Sequence, residues 1–245
     1  LRWVQSTWAG IDAIAHFANE TLQITPLKGV FGPAMTEYVM GWLLAIERNV
    51  ISRASHTQWT PSLEPRITGK RMGIMGTGDI GAAIALAAKS FGVEVIGLNS
   101  DGLAVDGFTA CYPSTDRLAF AERLDYLVSV LPQTAQTDNL MDHEVLTRLN
   151  PGAIVINAGR GNAVVEADLI ASLNAGHVRA AVLDVFREEP LPPDDPLWST
   201  PGVHITSHTA SPTPDEAIGE VFERNLKLYI AEEPLADAVK PGRGY

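Results

Sequence analysis

Three residues with chemically reactive side chains follow apolar, strand-like stretches in the second half of the chain. Arg160 follows AIVINAG, Glu189 comes after AAVLDV, and His208 ends VHITSH. Ligands of open α/β sheets bind outside the carboxyl ends of the strands, so we expect these side chains to lie close together. Arginine can hold a carboxylate through two parallel hydrogen bonds, and a histidine beside a glutamate can deliver a proton near neutral pH. The three residues therefore indicate chemistry on a carbonyl compound that carries a carboxylate.

The stretches that must position these residues belong to a regular alternation of strand and helix patterns. Short apolar runs without polar alternation are typical of strands buried on both faces of a parallel sheet. They predict strands at 72–75, 93–98, 125–131, 153–158, 180–186 and 203–208, with helices at 79–92, 142–149 and 166–176. Helical spacing also predicts a long helix over 35–53 and an amphipathic helix after Pro214. This order predicts the α/β class with a doubly wound parallel sheet.

Three glycines after the first of these strands form a GxGxxG pattern, Gly76-Thr77-Gly78-Asp79-Ile80-Gly81. The first glycine permits a tight turn, the second lets the backbone approach a pyrophosphate, and the third lets helix and strand pack closely. The N terminus of the following helix adds free N–H groups and a positive dipole. The pattern is weak alone, but its place between a strand and a helix predicts a dinucleotide-binding (Rossmann) domain.

The end of the next strand bears on the choice between NAD and NADP, because an acidic residue there binds the ribose 2′-hydroxyl and favours NAD. In this chain the position holds Asn99, followed by Ser100 and Asp101. Without a carboxylate at the strand end a 2′-phosphate is repelled less, although no Arg or Lys stands nearby to attract it. We therefore expect NADP or NAD, with a slight preference for NADP.

Several separated motifs resemble the D-isomer-specific 2-hydroxyacid dehydrogenases. They are NAGRG (157–161), LDVF (183–186), REEPLP (187–192) and the segment that ends in His208. STWAGID (6–12) is similar to the family's substrate-carboxylate loop, and TEYVMGWLLA (36–45) is similar to its interdomain helix. The tail Arg243-Gly244-Tyr245 resembles the glyoxylate/hydroxypyruvate reductase branch. The resemblance implies reduction of a small 2-oxoacid to the D-2-hydroxy acid, with NAD or NADP as the cofactor.

The resemblance also implies a role for each matching residue. Arg160 would hold the substrate carboxylate, His208 would protonate the carbonyl oxygen, and Glu189 would stabilise the charged His208. The N–H groups of Ala9 and Gly10 would bind the other carboxylate oxygen, with Trp8 in the pocket wall. The residues implied to contact the cofactor, including those of the glycine turn, are Gly76, Gly78, Asp79, Ile80, Gly81, Asn99, Ser100, Leu131, Pro132, Thr137, Ala158, Gly159, Asp184 and His208. The alternative for Asp184 is a cap on a helix or a turn.

The family pattern divides the chain into three parts. Residues 1–34 would be the remnant of a flavodoxin-like substrate domain, and residues 35–212 the cofactor domain. Residues 213–245 would be a C-terminal helix and tail that return to the substrate domain. LRWVQ at the start is typical of the middle of a strand, so we expect that an earlier part of the substrate domain is missing. Ser207 stands where the family usually has proline, which affects turn rigidity more than proton transfer.

The bulk composition limits the possible partners. A net charge of −11 argues against nucleic acid, whose phosphates need a basic face. No apolar run reaches the roughly 18–20 residues of a membrane span. The single cysteine, Cys111, cannot form an internal disulfide, so we expect a reducing compartment and a cytoplasmic location. No His or Cys spacing indicates a metal site. The resemblance adds a homodimer, formed through the long helix.

Two other functions use the same motifs. One is an NAD(H)-sensing binding protein similar to the dehydrogenase-related corepressors, which can keep all three reactive residues. The other is a phosphoglycerate-type dehydrogenase, which acts on larger substrates. A panel of 2-oxoacids assayed with reduced cofactor would distinguish them.

Overall fold

In a computed structural model that describes residues 1–213 and 215–239, the chain forms two parallel sheets flanked by helices. The strands are β1 (Trp3–Gln5), β2 (Gln23–Thr25), β3 (Arg71–Met75), β4 (Glu94–Asn99), β5 (Cys111–Pro113), β6 (Tyr126–Ser129), β7 (Ala153–Asn157), β8 (Val178–Leu183) and β9 (Val203–Ile205). The α-helices are α1 (Gly32–Glu47), α2 (Val50–Ala54), α3 (Asp79–Ser90), α4 (Arg117–Ala121), α5 (His143–Leu146), α6 (Glu166–Asn174) and α7 (Asp215–Ile230).

The larger sheet has seven parallel strands in the order β5-β4-β3-β6-β7-β8-β9. The chain moves outward from β3 to β5 and then returns to β6 on the other side of β3. This reversal leaves a crevice beyond the carboxyl ends of β3 and β6, where open α/β sheets bind ligands. The glycine turn follows β3, and the Arg160, Glu189 and His208 segments follow β7, β8 and β9. The topology therefore brings the cofactor turn and the three reactive residues to one edge of the sheet.

The central strands are buried on both faces. Every residue of β6 and of β7 is buried, as the uninterrupted apolar runs predict. One face packs on Val39 and Leu43 of α1 and Ile84 of α3. The other packs on Phe120 of α4 and Leu169 of α6. The predicted doubly wound parallel sheet is confirmed.

The short strands β1 and β2 form a separate parallel pair, and α7 packs against it. The Trp3 ring stacks on both Phe222 and Tyr229 with centroid separations of 5.5 Å. The buried Asn225 donates from Nδ2 to Gln5 Oε1 at 2.8 Å. These contacts support the predicted return of the C-terminal segment to residues 1–34, and the domain limits stay a prediction. The Arg243-Gly244-Tyr245 tail lies outside the described residues, as does Pro214.

Some elements differ from the sequence prediction. The single helix expected over 35–53 is two helices, because Asn49 between α1 and α2 adopts the left-handed conformation with φ of 51°. Asparagine tolerates this conformation, which stops a helix. The strand β5 and the helix α4 were not predicted, since elements of three and five residues are too short to show a period. Within the described residues, no helix has the length and apolar character needed to cross a bilayer.

Candidate active site

Arg160 lies in the loop that leaves β7, and this loop is held by the buried Asn157 at the end of the strand. Asn157 Nδ2 donates to the Arg160 carbonyl oxygen at 2.9 Å, and its Oδ1 accepts from the Gly159 N–H at 3.3 Å. The Arg160 guanidinium donates from Nε to Asp12 Oδ2 at 2.8 Å and from Nη1 to the Gly159 carbonyl oxygen at 2.9 Å. The arginine is therefore fixed on two sides before any ligand binds.

The predicted substrate loop, residues 6–12, lies directly against Arg160. A Cβ atom on Gly10 would lie 1.5 Å from Arg160 Nη2, so only glycine leaves room for the guanidinium. The N–H groups of Ala9 and Gly10 donate to no described residue. Two free donors beside a guanidinium form a site that fits a carboxylate. Trp8 is 64% exposed in this structure.

His208 is paired with Glu189 as the sequence predicts. The distance from His208 Nδ1 to Glu189 Oε2 is 2.8 Å, and both side chains are partly exposed. The other carboxylate oxygen of Glu189 accepts from the Phe186 N–H at 2.9 Å, which fixes the carboxylate. Because the carboxylate only accepts, Nδ1 carries a proton and Nε2 is the nitrogen left to face a substrate. This arrangement fixes the orientation of the imidazole and leaves Nε2 available for hydrogen bonding with a substrate.

The predicted strand over 203–208 ends at Ile205, and the buried carboxylate of Asp184 organises the turn that follows. This carboxylate accepts from the Thr206 hydroxyl and from the N–H groups of Thr209 and Ala210, at 2.8 and 3.0 Å for the two amides. The Asp184 carbonyl oxygen also accepts from the His208 N–H at 2.8 Å. These bonds hold His208 in the left-handed region with φ of 55°. Asp184, which is 1% exposed, is thus a turn cap that sets the position of His208.

Tyr38 of α1 extends this network from another part of the chain. Its hydroxyl lies 2.7 Å from Thr206 Oγ1. Since Thr206 donates its hydrogen to the Asp184 carboxylate, Tyr38 is the donor in this bond. Burial and the nearby charge of Asp184 raise the pKa of Tyr38 to about 12, although the hydrogen bond between Tyr38 and Thr206 opposes this shift. The phenol therefore stays protonated and keeps the chain of donors intact near neutral pH.

The three reactive segments converge through the substrate loop. His208 and Trp8 line the same cleft of about 450 Å³, together with Thr209, Ser211 and Asp215. Gly10 of the same loop touches Arg160. The loops after β7 and β8 are also in contact, since a Cβ on Gly161 would lie 1.9 Å from the Phe186 carbonyl carbon. The structure thus pairs Glu189 with His208 and places Arg160 against the loop that carries Trp8. That the three residues act in one pocket stays a prediction.

The glycine turn has the shape that a pyrophosphate requires. Gly76 has φ of 99°, which favours glycine, and a Cβ on Gly81 would lie 1.9 Å from the Gly76 carbonyl oxygen. A Cβ on Gly78 would meet nothing within 4 Å, so the turn is open on that side. No side chain caps α3, which leaves its first N–H groups available to an anion. These residues fit a dinucleotide cofactor, with Asp79 and Ile80 at the helix start beside the pyrophosphate position.

Several other predicted cofactor residues have their polar groups bound within the protein. Asn99 donates to Thr77 Oγ1 and to the Leu103 carbonyl oxygen, and its Oδ1 accepts from the Gly102 N–H. The Thr137 hydroxyl donates to the Pro132 carbonyl oxygen at 2.7 Å. The Leu131 side chain is buried in the main core, whereas Ala158 packs with Ile80 near the crevice. Asn99 and Thr137 therefore hold the loops that shape the site, and their contacts with a cofactor stay predictions, as do those of Ser100, Pro132 and Gly159.

Sequence reasoning missed four residues of this site: Asp12, Tyr38, Asn157 and Thr206. Asp12 ends the STWAGID motif and Asn157 begins NAGRG, so both were visible inside motifs that indicated the site. Tyr38 lies 168 positions from Thr206, and no local pattern connects them. Within the described residues, no group of three His, Cys, Asp or Glu side chains could hold a metal ion.

Comparison with known proteins identifies the family. The model of the D-isomer specific 2-hydroxyacid dehydrogenase NAD-binding domain matches residues 40–210. The chain belongs to this family. It is an oxidoreductase that uses NAD or NADP, and the family predicted from the motifs is confirmed.

Individual relatives are similar to this chain over most of their own length. Glyoxylate/hydroxypyruvate reductase A of Yersinia enterocolitica is 37% identical over 218 residues, which are 86% of this chain and 68% of that protein. The crystal structure of the NADPH-dependent glyoxylate/hydroxypyruvate reductase of Sinorhizobium meliloti, with NADP and sulfate, is 29% identical, with a TM-score of 0.90 over 100% of this chain and 80% of that one. A dehydrogenase of the family from Xanthobacter autotrophicus, solved with NADPH and MES, is 34% identical, with a TM-score of 0.89 over 100% and 79%.

Proposed function

We propose that this chain reduces a small 2-oxoacid, of the glyoxylate or hydroxypyruvate type, to the D-2-hydroxy acid. The observation that carries the proposal is the pairing of His208 Nδ1 with Glu189 at 2.8 Å in a cleft that His208 shares with Trp8. Gly10, two residues after Trp8, lies against Arg160. The substrate loop therefore adjoins both the proposed proton donor, His208, and the proposed carboxylate-binding residue, Arg160. The names of the Yersinia and Sinorhizobium relatives support the same substrate class.

Each residue of the proposed site has a distinct role. The outer N–H groups of Arg160 and the free N–H groups of Ala9 and Gly10 bind the substrate carboxylate and orient the adjacent carbonyl. When bound at the glycine turn by Gly76, Gly78 and the first N–H groups of α3, NADPH or NADH would supply the hydride for the carbonyl carbon. His208 gives the proton on Nε2 to the carbonyl oxygen, so that one C–H and one O–H bond form as the C=O π bond is lost. Glu189 stabilises the imidazolium before this transfer.

The cleft favours a small, uncharged substituent next to the carbonyl. Its described lining residues include no Lys or Arg, and Asp215 contributes a negative charge. A phosphate on the substrate would meet this carboxylate, and the two cationic groups of the proposed site, Arg160 and His208, are already assigned to the substrate's carboxylate and carbonyl. This charge pattern favours hydroxypyruvate over the phosphorylated substrate of a phosphoglycerate-type enzyme.

For the cofactor, we infer a modest preference for NADPH. The support is the NADP and NADPH bound in the two similar crystal structures and the absence of a carboxylate at position 99. Residues 99–108 contain no Lys or Arg to bind a 2′-phosphate, which limits the size of the preference.

The test follows cofactor absorbance with glyoxylate, hydroxypyruvate, pyruvate and phosphohydroxypyruvate, each with NADPH and with NADH. We expect the highest kcat/KM with glyoxylate or hydroxypyruvate, and a D-configured product from hydroxypyruvate on chiral chromatography. Best activity on phosphohydroxypyruvate would replace the substrate proposal. Tight cofactor binding without turnover of any oxoacid would support the binding-protein alternative. NADH use at least about tenfold better than NADPH use would overturn the cofactor preference.

A further inference from the structure

Arg160 reaches the site with part of its hydrogen-bonding capacity already used. A guanidinium has five N–H donors. One, on Nε, is taken by Asp12 Oδ2 at 2.8 Å, and one on Nη1 is taken by the Gly159 carbonyl oxygen at 2.9 Å. Nη2 makes no hydrogen bond to a described residue. The donors left for a substrate are therefore the two on Nη2 and the second one on Nη1, at the outer end of the guanidinium.

Asp12 holds more than the arginine. While its Oδ2 accepts from Arg160, its Oδ1 accepts from the Gln133 N–H at 3.2 Å. Gln133 lies in the loop that follows β6, and Arg160 lies in the loop that follows β7. One carboxylate thus connects the substrate loop with two loops at the carboxyl edge of the large sheet.

We propose that Asp12 is a positioning residue that turns the outer N–H pair of Arg160 towards the substrate carboxylate. The proposal rests on the substrate-binding role of Arg160 given above. Gly10 packs closely against the pair and restricts movement of the guanidinium. A Cβ on Gly10 would lie 1.5 Å from Arg160 Nη2 and 3.1 Å from Asp12 Oδ2. Asp12 and Arg160 are each about one quarter exposed, so the pair is screened less than a surface ion pair.

The charge of Asp12 matters as well as its position. The negative charge of Asp12 reduces the attraction of Arg160 for the substrate carboxylate, which weakens substrate binding. The hydrogen bond from Arg160 to Asp12 orients the guanidinium, which strengthens substrate binding. If geometry dominates, removing Asp12 weakens substrate binding, because the guanidinium loses its fixed orientation. If charge dominates, removing Asp12 strengthens substrate binding. The sign of the change in KM decides between these two effects.

The experiment compares Asp12→Asn and Asp12→Ala with the wild-type chain, using NADPH and glyoxylate. Hydrogen bonds to charged groups contribute enough that we expect the KM for glyoxylate to rise about tenfold in Asp12→Asn and more in Asp12→Ala. The inhibition constant of oxamate should rise in parallel, with kcat less affected than KM and the cofactor Kd unchanged. Glu20→Gln is the matched control, because Glu20 is an exposed acid of the same segment and makes no hydrogen bond or ion pair with a described residue. It should leave all four constants at their wild-type values.

A double-substitution cycle separates this proposal from the proposed function. Arg160→Lys removes the planar fork and should raise the glyoxylate KM strongly. In that background Asp12→Asn should add little, since its effect passes through the arginine. An unchanged KM in Arg160→Lys would contradict the proposed function itself. A raised KM in Arg160→Lys with an unchanged or lowered KM in Asp12→Asn would overturn only the positioning role, and so would fully additive effects of the two substitutions.

Discussion

The glycine turn after β3 is formed by backbone, whereas the His208 turn after β9 is held by side chains from distant parts of the chain. In the first, glycines at 76 and 81 leave room for a tight turn and a close helix, and the N–H groups of α3 face outward. In the second, Asp184, Thr206 and Tyr38 form a partly buried chain of hydrogen bonds beneath His208. The shape of the glycine turn therefore depends on the absence of side chains, and the shape of the His208 turn depends on their presence.

The functions proposed for the two turns account for this difference. A pyrophosphate can be bound by many N–H groups at once, so no single atom has to be placed to high accuracy. Proton transfer needs one nitrogen within hydrogen-bond reach of one oxygen. Asp184 provides that accuracy by fixing the backbone on both sides of a histidine with φ of 55°.

The largest effect should come from His208→Ala, which removes the proposed proton donor and leaves the glycine turn intact. We expect kcat to fall by about 10²- to 10⁴-fold, the usual contribution of a positioned acid or base. The cofactor Kd, measured by quenching of tryptophan fluorescence, should stay unchanged. His143→Ala is the control, because His143 lies at the exposed start of α5 with no side-chain contact to a described residue. A kcat equal to that of the control would remove His208 from the mechanism.

Gly81→Ala should weaken cofactor binding and change kcat little, which is the reverse of the effect expected for His208→Ala. Its added Cβ would lie 1.9 Å from the Gly76 carbonyl oxygen, so α3 must move away from the turn. Overpacking of this kind costs about 1–3 kcal/mol of stability, and we expect a lower Tm together with a cofactor Kd raised about tenfold or more. The kcat at saturating cofactor should fall much less than in His208→Ala.

The matched control for this change is Gly219→Ala in α7. A Cβ on Gly219 would meet nothing within 4 Å, and alanine is the better helix former. We expect its Tm to rise and its cofactor Kd to stay unchanged. If Gly81→Ala bound the cofactor as well as this control does, the glycine turn would not be the pyrophosphate site.

The same contrast explains what could be predicted from the sequence. The position of the glycine turn between a strand and a helix was predicted, because the spacing of three glycines is a local pattern, and its contacts with a cofactor stay a prediction. The strands β6 and β7 were also predicted, since continuous apolar runs report burial on both faces. The pairing of His208 with Glu189 came from the family resemblance, and the geometry agrees with it.

The parts that could not be predicted are long-range polar contacts. Asp12 and Arg160 are 148 positions apart, and Tyr38 and Thr206 are 168 apart. No local period or spacing links such residues, because their contact is set by the sheet order and by the packing of α1. The break at Asn49 escaped prediction for a different reason: its neighbours are apolar at helical spacing, and only its left-handed backbone ends α1.

The smallest effect should come from Tyr38→Phe, which removes the outermost donor beneath the His208 turn. Thr206 still donates to Asp184 without it, so we expect kcat to fall only about three- to fivefold, close to the value of one neutral hydrogen bond. Stability should show a characteristic pH dependence, because the pKa of Tyr38 is raised from 10.0 to about 12 in the folded protein. A raised pKa means that this contribution to stability is complete below pH 10 and is lost as the pH rises towards 12.

The measurement is the difference in Tm between the wild type and Tyr38→Phe at several pH values. We expect a constant difference between pH 7 and 9 that shrinks between pH 10 and 12, as the unfolded wild type ionises its tyrosine before the folded form does. Tyr112→Phe controls for the loss of a tyrosine, since the Tyr112 hydroxyl has no hydrogen bond to a described residue. A difference that stays constant to pH 12 would mean that Tyr38 is not held in its neutral form beside Asp184. The network beneath His208 would then end at Thr206, and the His208 turn would depend on fewer distant side chains than the structure indicates.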